Sequence, residues 1–347
     1  MKLSNLSNNP NNQLLIDVVY IRLLLVVLVV FYHSFAVYSG AWILKFTPPY
    51  IAMYEWLDRL SYSCMLESFV FISGYVIGFQ LFVKHKGISI RKKVKRLIVP
   101  SIFFSFLYWL CFKYNGHLSI SLLYDLVAGV GHLWFLPMLF WCFVFLKLIC
   151  FFPCKYTWFF FVLSLLLALF SNIILPFRIN QSLYYFPFFY FGYIVWQKSY
   201  FFQRISNKVV LLTFLIYLFS FVLMTILMDS FVTPDEASFM TRMVLSISRK
   251  VCQLFMASVG VWFMFLIMNI IRTKKIKTSD LWINLSSCCF GVYIIQQFIL
   301  MYCYTKTDLP YTVNIYLLPW LLFLFALVFS VFGAYILRQT KIGKKYL

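Results

Sequence analysis

Long apolar runs alternate with short polar segments along most of this chain. Each run is about the twenty or so residues that a helix needs to cross a bilayer. The pattern predicts ten transmembrane helices, at roughly 17–38, 60–83, 97–114, 131–151, 157–176, 182–196, 208–228, 251–271, 281–302 and 313–337. We therefore expect an all-α fold, that of a polytopic membrane protein.

The two ends of the chain depart from this pattern. Residues 1–13 are polar and rich in Asn, so we expect a short disordered lead. Residues 14–337 then form the ten-helix transmembrane domain, and 338–347 form a basic tail.

Charge supports the same topology. The chain has 30 Lys and Arg against 10 Asp and Glu, a net charge of +20. Such an excess can indicate a nucleic-acid partner, but most of these cations lie in alternate segments between the apolar spans, as in cytoplasmic loops. The distribution predicts that both termini are cytoplasmic and that the cations contact membrane lipid; we expect no nucleic acid.

Composition narrows the chemistry further. Hydrophobic residues make up 63% of the chain, which is typical of a membrane protein. The nine cysteines lie mostly within or beside apolar spans and form no CxxC pair or Cys/His cluster. We interpret them as small hydrophobic residues and expect no metal site.

The first span carries two ionisable residues, Arg22 and His33. Eleven residues are about three helical turns, so both side chains leave one face, separated by about 16 Å along the axis. Ionisable groups inside a membrane commonly mark a functional path. The alternative is a structural Arg and a hydrogen-bonded His with no further role.

The second span carries Glu67. A carboxylate beside His33 would fix the tautomer of the imidazole and raise its basicity, as a general base requires. Pairing of Glu67 with another donor, such as Arg59 or a Tyr, is the alternative. Gly74 and Gly78 form a GxxxG pattern that predicts close helix packing.

Two further segments have a structural and a functional interpretation. The basic run 84–96 either orients the chain and contacts anionic lipid, or binds a polyphosphate. His132 and Trp134 either belong to the aromatic belt at the membrane interface or form a wall of a substrate site.

Four segments resemble, in order and spacing, the membrane acyltransferase-3 family, whose members O-acylate extracytoplasmic acceptors with acyl-CoA. The matched positions are Arg22 and His33; Glu67, Phe69, Ser73, Gly74 and Tyr75; Lys93, Arg96, Leu97 and Pro100; and His132–Leu136.

Some positions depart from the family pattern. Lys93 stands where Arg is usual, which replaces a bidentate phosphate contact by a point charge. Val70 replaces a Phe, and Glu67 stands where Asp is common. Late in the chain the family often has the motif Ser-Phe-Gly-x-Tyr-x-x-His. This chain has Gln296 at the position of the final His. A role for that late His cannot be transferred.

The resemblance implies a membrane O-acyltransferase. Its donor is acyl-CoA, with acetyl as the expected group, and its acceptor is an envelope or capsular polysaccharide or a lipid-linked glycan. The cation set Arg91, Lys93 and Arg96 would hold the CoA phosphates, and Arg22 would line the route inward. The oxyanion donor is open, and either Arg22 or Tyr75 could serve in that catalytic role. His33, oriented by Glu67, would act as base or nucleophile. Ser73, Tyr75, His132 and Trp134 would shape the acceptor site.

The resemblance also implies a location, the bacterial cytoplasmic (inner) membrane, which the protein would cross many times. A transporter or flippase for an anionic or glycan-linked lipid is the alternative function, because a helix bundle with ionisable residues at its centre suits transport equally. A purely structural subunit would leave Arg22, His33 and Glu67 unexplained.

Overall fold

The computed structural model describes residues 15–114, 121–198, 201, 205–231, 238–274, 278–340 and 343, and within them no β-strand occurs. The predicted lead at 1–13 and most of the predicted tail at 338–347 lie outside the described residues. The α-helices are α1 (Ile16–Phe35), α2 (Ala52–Tyr62), α3 (Met65–Phe82), α4 (Ile90–Lys93), α5 (Val99–Phe112), α6 (Ser121–Ala128), α7 (Phe135–Ile149), α8 (Thr157–Leu169), α9 (Ile179–Gln197), α10 (Asn207–Ser230), α11 (Phe239–Thr273), α12 (Asp280–Lys306), α13 (Leu309–Thr312) and α14 (Leu318–Gln339).

A helix occurs in every one of the ten predicted spans, namely α1, α3, α5, α7 to α12 and α14. In the described part of the chain, eight helical stretches are long and apolar enough to cross a membrane. This confirms the prediction of a polytopic all-α membrane protein. Ten crossings and cytoplasmic termini stay predictions, since α8 has only 13 residues and α9 carries Pro187 and many Tyr side chains.

One helix is longer than its apolar run. We expected a span from about 251, but α11 begins at Phe239 and has 35 residues. The side chain of Ser238 caps its start by accepting a 3.2 Å hydrogen bond from the backbone N–H of Thr241. Such a cap satisfies a free donor of the first turn, so the helix extends into the polar stretch that hydropathy had assigned to a loop.

Another predicted helix is divided. The expected span 60–83 is interrupted by a turn at Ser63 and Cys64, between α2 and α3. The hydroxyls of Ser61 and Ser63 each donate a 2.7 Å hydrogen bond to a carbonyl three residues earlier. Local bonds of this kind compete with helical ones, which explains why the helix breaks here.

The chain separates into two compact units. The first comprises the described residues of Met1–Ile21, Leu66–Ile90 and Trp141–Thr278, and the second those of Arg22–Met65, Arg91–Phe140 and Ser279–Leu347. We call them unit 1 and unit 2. Helix α1 contributes its first turns to unit 1 and the rest to unit 2.

Unit 1 contains an unusually close helix contact between α3 and α9. A Cβ atom on Gly74 would lie 1.8 Å from the carbonyl oxygen of Phe189, and one on Gly192 would lie 2.2 Å from that of Phe71. The two backbones therefore touch, which only glycine permits. This confirms the close packing that the Gly74–Gly78 spacing predicts.

Unit 2 is organised around α12, which packs along α14 and contacts α5. Cys289, Tyr293 and Gln296 are all buried on α12. Their spacing of four and then three residues places them on one face of the helix. That face contacts the functional candidates of α1 and of the segment before α7.

Candidate active site

His33 lies in the last turn of α1 and is buried. Its Nδ1 is 2.7 Å from the amide nitrogen of Gln296, which is fully buried on α12. Trp42 covers the imidazole, with ring centroids 5.4 Å apart and planes 25° from parallel. The ring is thus fixed at one nitrogen and on one face.

His132 lies in a short 3₁₀ turn, Gly131–Trp134, that leads into α7. Gly129 and Gly131 precede it with φ of 82° and 58°, values that favour glycine. The backbone N–H of Val130 donates a 3.1 Å hydrogen bond to the hydroxyl of Ser105 on α5. The hydroxyl of Tyr293 donates to the carbonyl of His132, so α5 and α12 hold this turn in place.

The two histidines lie beside each other in unit 2. Their ring centroids are 6.2 Å apart, and the ring of Tyr293 lies 5.1 Å from that of His132. Both ring nitrogens of His132 are buried and make no hydrogen bond with the described residues. A buried imidazole with both nitrogens free is costly as a merely structural group, and this favours a role in chemistry.

Arg22 occupies the same helix, and the continuity of α1 confirms that Arg22 and His33 share a face. Its guanidinium is partly buried and makes no hydrogen bond or ion pair with the described residues, and the thiol of Cys289 is near enough to interact with it. A partly buried cation without a carboxylate partner is suited to an anionic ligand.

Glu67 belongs to unit 1, where it accepts a 3.2 Å hydrogen bond from the hydroxyl of Tyr184. The ammonium of Lys250 lies 4.6 Å from the centre of the Tyr184 ring. The other carboxylate oxygen of Glu67, Oε2, is buried with no partner in the described residues. A Tyr donor was one of the alternative partners that the sequence analysis gave for Glu67. Orientation of His33 by Glu67 stays a prediction.

Tyr75 takes part in a buried network at the start of α1. Its hydroxyl donates a 2.6 Å hydrogen bond to Asp17 and accepts one of 3.0 Å from Arg272. The guanidinium of Arg272 also stacks 4.2 Å from the ring of Trp196. These contacts tie α1, α3, α9 and α11 together within unit 1.

The remaining predicted residues occupy ordinary local environments. Ser73 donates a 3.0 Å hydrogen bond to the carbonyl of Phe69 in its own helix, and Trp134 is partly buried with its ring beside that of Phe135. Arg91 and Arg96 are exposed, and Lys93 is partly buried. A π-helical turn, Val94–Ile98, lies in this basic segment. Such turns are frequent at functional sites.

Sequence reasoning missed three residues of the site: Gln296, Trp42 and Tyr293. A signal existed for two of them, because Tyr293 and Gln296 stand in the late segment compared with the family motif. That segment carried no weight in the prediction, since Gln replaces the expected His. Nothing in the sequence distinguished Trp42 from the other tryptophans.

Comparison with known families accounts for nearly the whole chain. The acyltransferase-3 family, described as an acyltransferase domain, matches residues 15–339. Comparison with curated proteins and with solved structures gave no match. The match covers every element described above from α1 to α14, and the motif residues Arg22, His33 and His132 lie together in unit 2. The chain belongs to the acyltransferase-3 family and is a multi-pass membrane acyltransferase.

Proposed function

We propose that this protein transfers an acyl group, acetyl in the first instance, from cytoplasmic acyl-CoA to a hydroxyl of an extracytoplasmic acceptor. The acceptor class is an envelope or capsular polysaccharide or a lipid-linked glycan, and the membrane is the bacterial inner membrane. The observation that carries the proposal is the pair of buried imidazoles, His33 and His132, in a chain of this family.

Acyl transfer from a thioester to an alcohol needs a group that takes the hydroxyl proton and a group that stabilises the oxyanion. Two adjacent imidazoles can supply both functions. Both rings are buried, and a closed site limits the access of water and so the hydrolysis of the thioester. This supports transfer to an alcohol over transfer to water.

The donor route follows from the cations. Arg91, Lys93 and Arg96 offer an exposed or partly exposed cluster suited to the CoA phosphates. The partly buried Arg22, about 16 Å from His33 along α1, would contact the donor between this cluster and the two histidines. A pantetheine arm is long and thin enough for such a path.

The test is transfer of labelled acetyl from acetyl-CoA to envelope glycan in membranes that carry the protein. His33→Asn should abolish transfer, because the asparagine side chain cannot replace the second ring nitrogen. His85→Asn is the matched control, since His85 is exposed and has a φ of 50° that Asn tolerates well. It should leave transfer unchanged.

Equal transfer by the intact protein and a folded His33→Asn variant would refute the role of His33. Failure of the intact protein to transfer acetyl or any longer acyl group would refute the enzyme and favour the transporter. Uptake of a labelled glycan lipid into vesicles would then be the next measurement.

A further inference from the structure

We propose that the two histidines have opposite roles: His33 donates a hydrogen bond to the developing oxyanion, and His132 is the base that takes the proton of the acceptor hydroxyl. The inference rests on the proposed function and assigns the chemistry within it. Gln296 is the positioning residue that fixes the role of His33.

The hydrogen bond between Gln296 and His33 sets the tautomer. The amide nitrogen of Gln296 lies 2.7 Å from Nδ1 of His33 and 3.4 Å from the carbonyl oxygen of Tyr293. An amide nitrogen only donates, and it here lies between two acceptors, so Nδ1 of His33 receives a hydrogen bond. The proton of the neutral ring is then on Nε2.

A neutral His33 with its proton on Nε2 can donate from that nitrogen but cannot take a proton there. No hydrogen bond from a described residue engages Nε2, so its N–H is available to a substrate. Gln296 is fully buried, and a neutral amide does not favour an imidazolium as a carboxylate would. The site therefore keeps His33 neutral and donating.

His132 has the complementary properties. Neither of its ring nitrogens makes a hydrogen bond with the described residues, so one lone pair is free in either tautomer. A ring nitrogen with a free lone pair can take the proton of a hydroxyl, as a general base does.

The two rings are close enough for both to contact one reacting group. With ring centroids 6.2 Å apart, the nitrogens of both imidazoles can contact a single thioester carbonyl and the hydroxyl that attacks it. Tyr293 contacts Gln296, the partner of His33, through its carbonyl, and it contacts the backbone of His132 through its hydroxyl. These contacts help to fix the positions of the two rings relative to each other.

Both histidines take part in the transfer step. His132 takes the proton of the acceptor hydroxyl as its oxygen forms a bond to the thioester carbon. The electron pair of the carbonyl moves to oxygen, which accepts the hydrogen bond from Nε2 of His33. The oxyanion collapses, the C–S bond breaks, and the CoA thiolate takes the proton from His132. The acyl group has moved from sulfur to oxygen.

The tautomer can be measured without any activity. The chain has only four histidines, so ¹⁵N-histidine labelling gives few signals, and the variants His85→Asn, His117→Asn and His132→Gln assign them. We expect His33 to show an unprotonated Nδ1 and a protonated Nε2, and Gln296→Leu to abolish this preference. A proton on Nδ1 of His33 would overturn the inference.

Turnover tests the same assignment in the full-length protein. In Gln296→Glu a carboxylate accepts from Nδ1 and moves the lone pair to Nε2. We expect kcat to fall about 100-fold with little change in KM for acyl-CoA, as on loss of an oxyanion donor. A base at His33 would instead be strengthened, so an unchanged or raised kcat would overturn the inference. If this variant does not fold, the tautomer measurement decides.

The choice of acceptor distinguishes the roles of the two histidines. Hydroxylamine attacks a thioester through its neutral nitrogen and needs no base. We expect His132→Ala to lose transfer to the hydroxyl acceptor about 100-fold or more but to keep transfer to hydroxylamine, whereas His33→Ala loses both. Equal loss of the hydroxylamine reaction in the two variants would overturn the inference. Absence of transfer by the intact protein would instead refute the proposed function itself.

Discussion

The hydroxyl of Tyr75 on α3 donates a 2.6 Å hydrogen bond to the carboxylate of Asp17 at the start of α1. Asp17 is only 2% exposed, so its charge depends on this bond, on the N–H of Val18 at 3.0 Å and on the nearby Arg272. The contact fixes the start of the helix that carries Arg22 and His33.

Tyr75→Phe should lower the free energy of unfolding by about 1.5–3 kcal/mol, because it removes a hydrogen bond to a buried charge. Chemical denaturation in detergent micelles measures this loss. Tyr302→Phe is the control, since Tyr302 is 57% exposed, and it should have almost no effect. If Tyr75→Phe is as harmless as the control, the Asp17 contact contributes nothing to stability.

A double-mutant cycle isolates the contact itself. In an Asp17→Asn background the removal of the Tyr75 hydroxyl should cost much less than in the intact protein, since the charge is gone. We expect a coupling free energy of about 1–3 kcal/mol, within the range for residues in direct contact. Strictly additive effects would contradict the network.

Gly74→Ala should destabilise the protein severely. The new Cβ would overlap the backbone of Phe189 at 1.8 Å, so α3 and α9 would have to separate. Gly333→Ala is a matched control in a helix, because the atom nearest to its Cβ is 3.4 Å away on the side chain of Ile295. That change should be neutral or stabilising by up to about 1 kcal/mol. Thermal unfolding of both variants measures the contrast, and equal melting temperatures would refute the close contact.

Hydropathy was sufficient to predict the helices because long apolar runs have few alternatives in a membrane. Hydropathy failed to predict helix ends and breaks that depend on hydrogen bonds of polar side chains. The first turns of α11 follow from the Ser238 cap, and the break between α2 and α3 follows from Ser61 and Ser63. Neither effect changes the mean hydropathy of a window.

The candidate site likewise has features that the sequence predicts and features that it does not. The shared face of Arg22 and His33 depends only on helical periodicity, so the sequence predicts it. The bond between His33 and Gln296 joins residues 263 positions apart, and it depends on how α12 packs against α1. Chemical reasoning selected the carboxylate of Glu67 as a partner for His33, which stays a prediction, and it did not foresee the neutral amide of Gln296. The carboxylate of Glu67 is engaged by Tyr184.

Arg22→Gln should raise the KM for acetyl-CoA about 10- to 100-fold, the equivalent of one charge-assisted hydrogen bond, with a smaller effect on kcat. Arg22→Lys keeps the charge and should give an intermediate KM. The control is Lys155→Gln, because Lys155 is an exposed cation outside the candidate site. Steady-state kinetics in membranes measures all three. A lower kcat at constant KM would indicate that Arg22 acts in the chemical step and not in donor binding.

Arg96→Gln should weaken binding of the nucleotide part of the donor, because the exposed guanidinium is proposed to hold CoA phosphates. The KM for acetyl-CoA should rise and should depend less on salt than in the intact protein, since a screened ion pair has been removed. S-acetylpantetheine, which has the same thioester but no nucleotide, tests this directly. Arg96→Gln should leave its KM unchanged, whereas His33→Asn should abolish transfer from both donors. If Arg96→Gln raises the KM for both donors equally, then Arg96 supports the fold of the π-helical turn, and the phosphates must bind elsewhere.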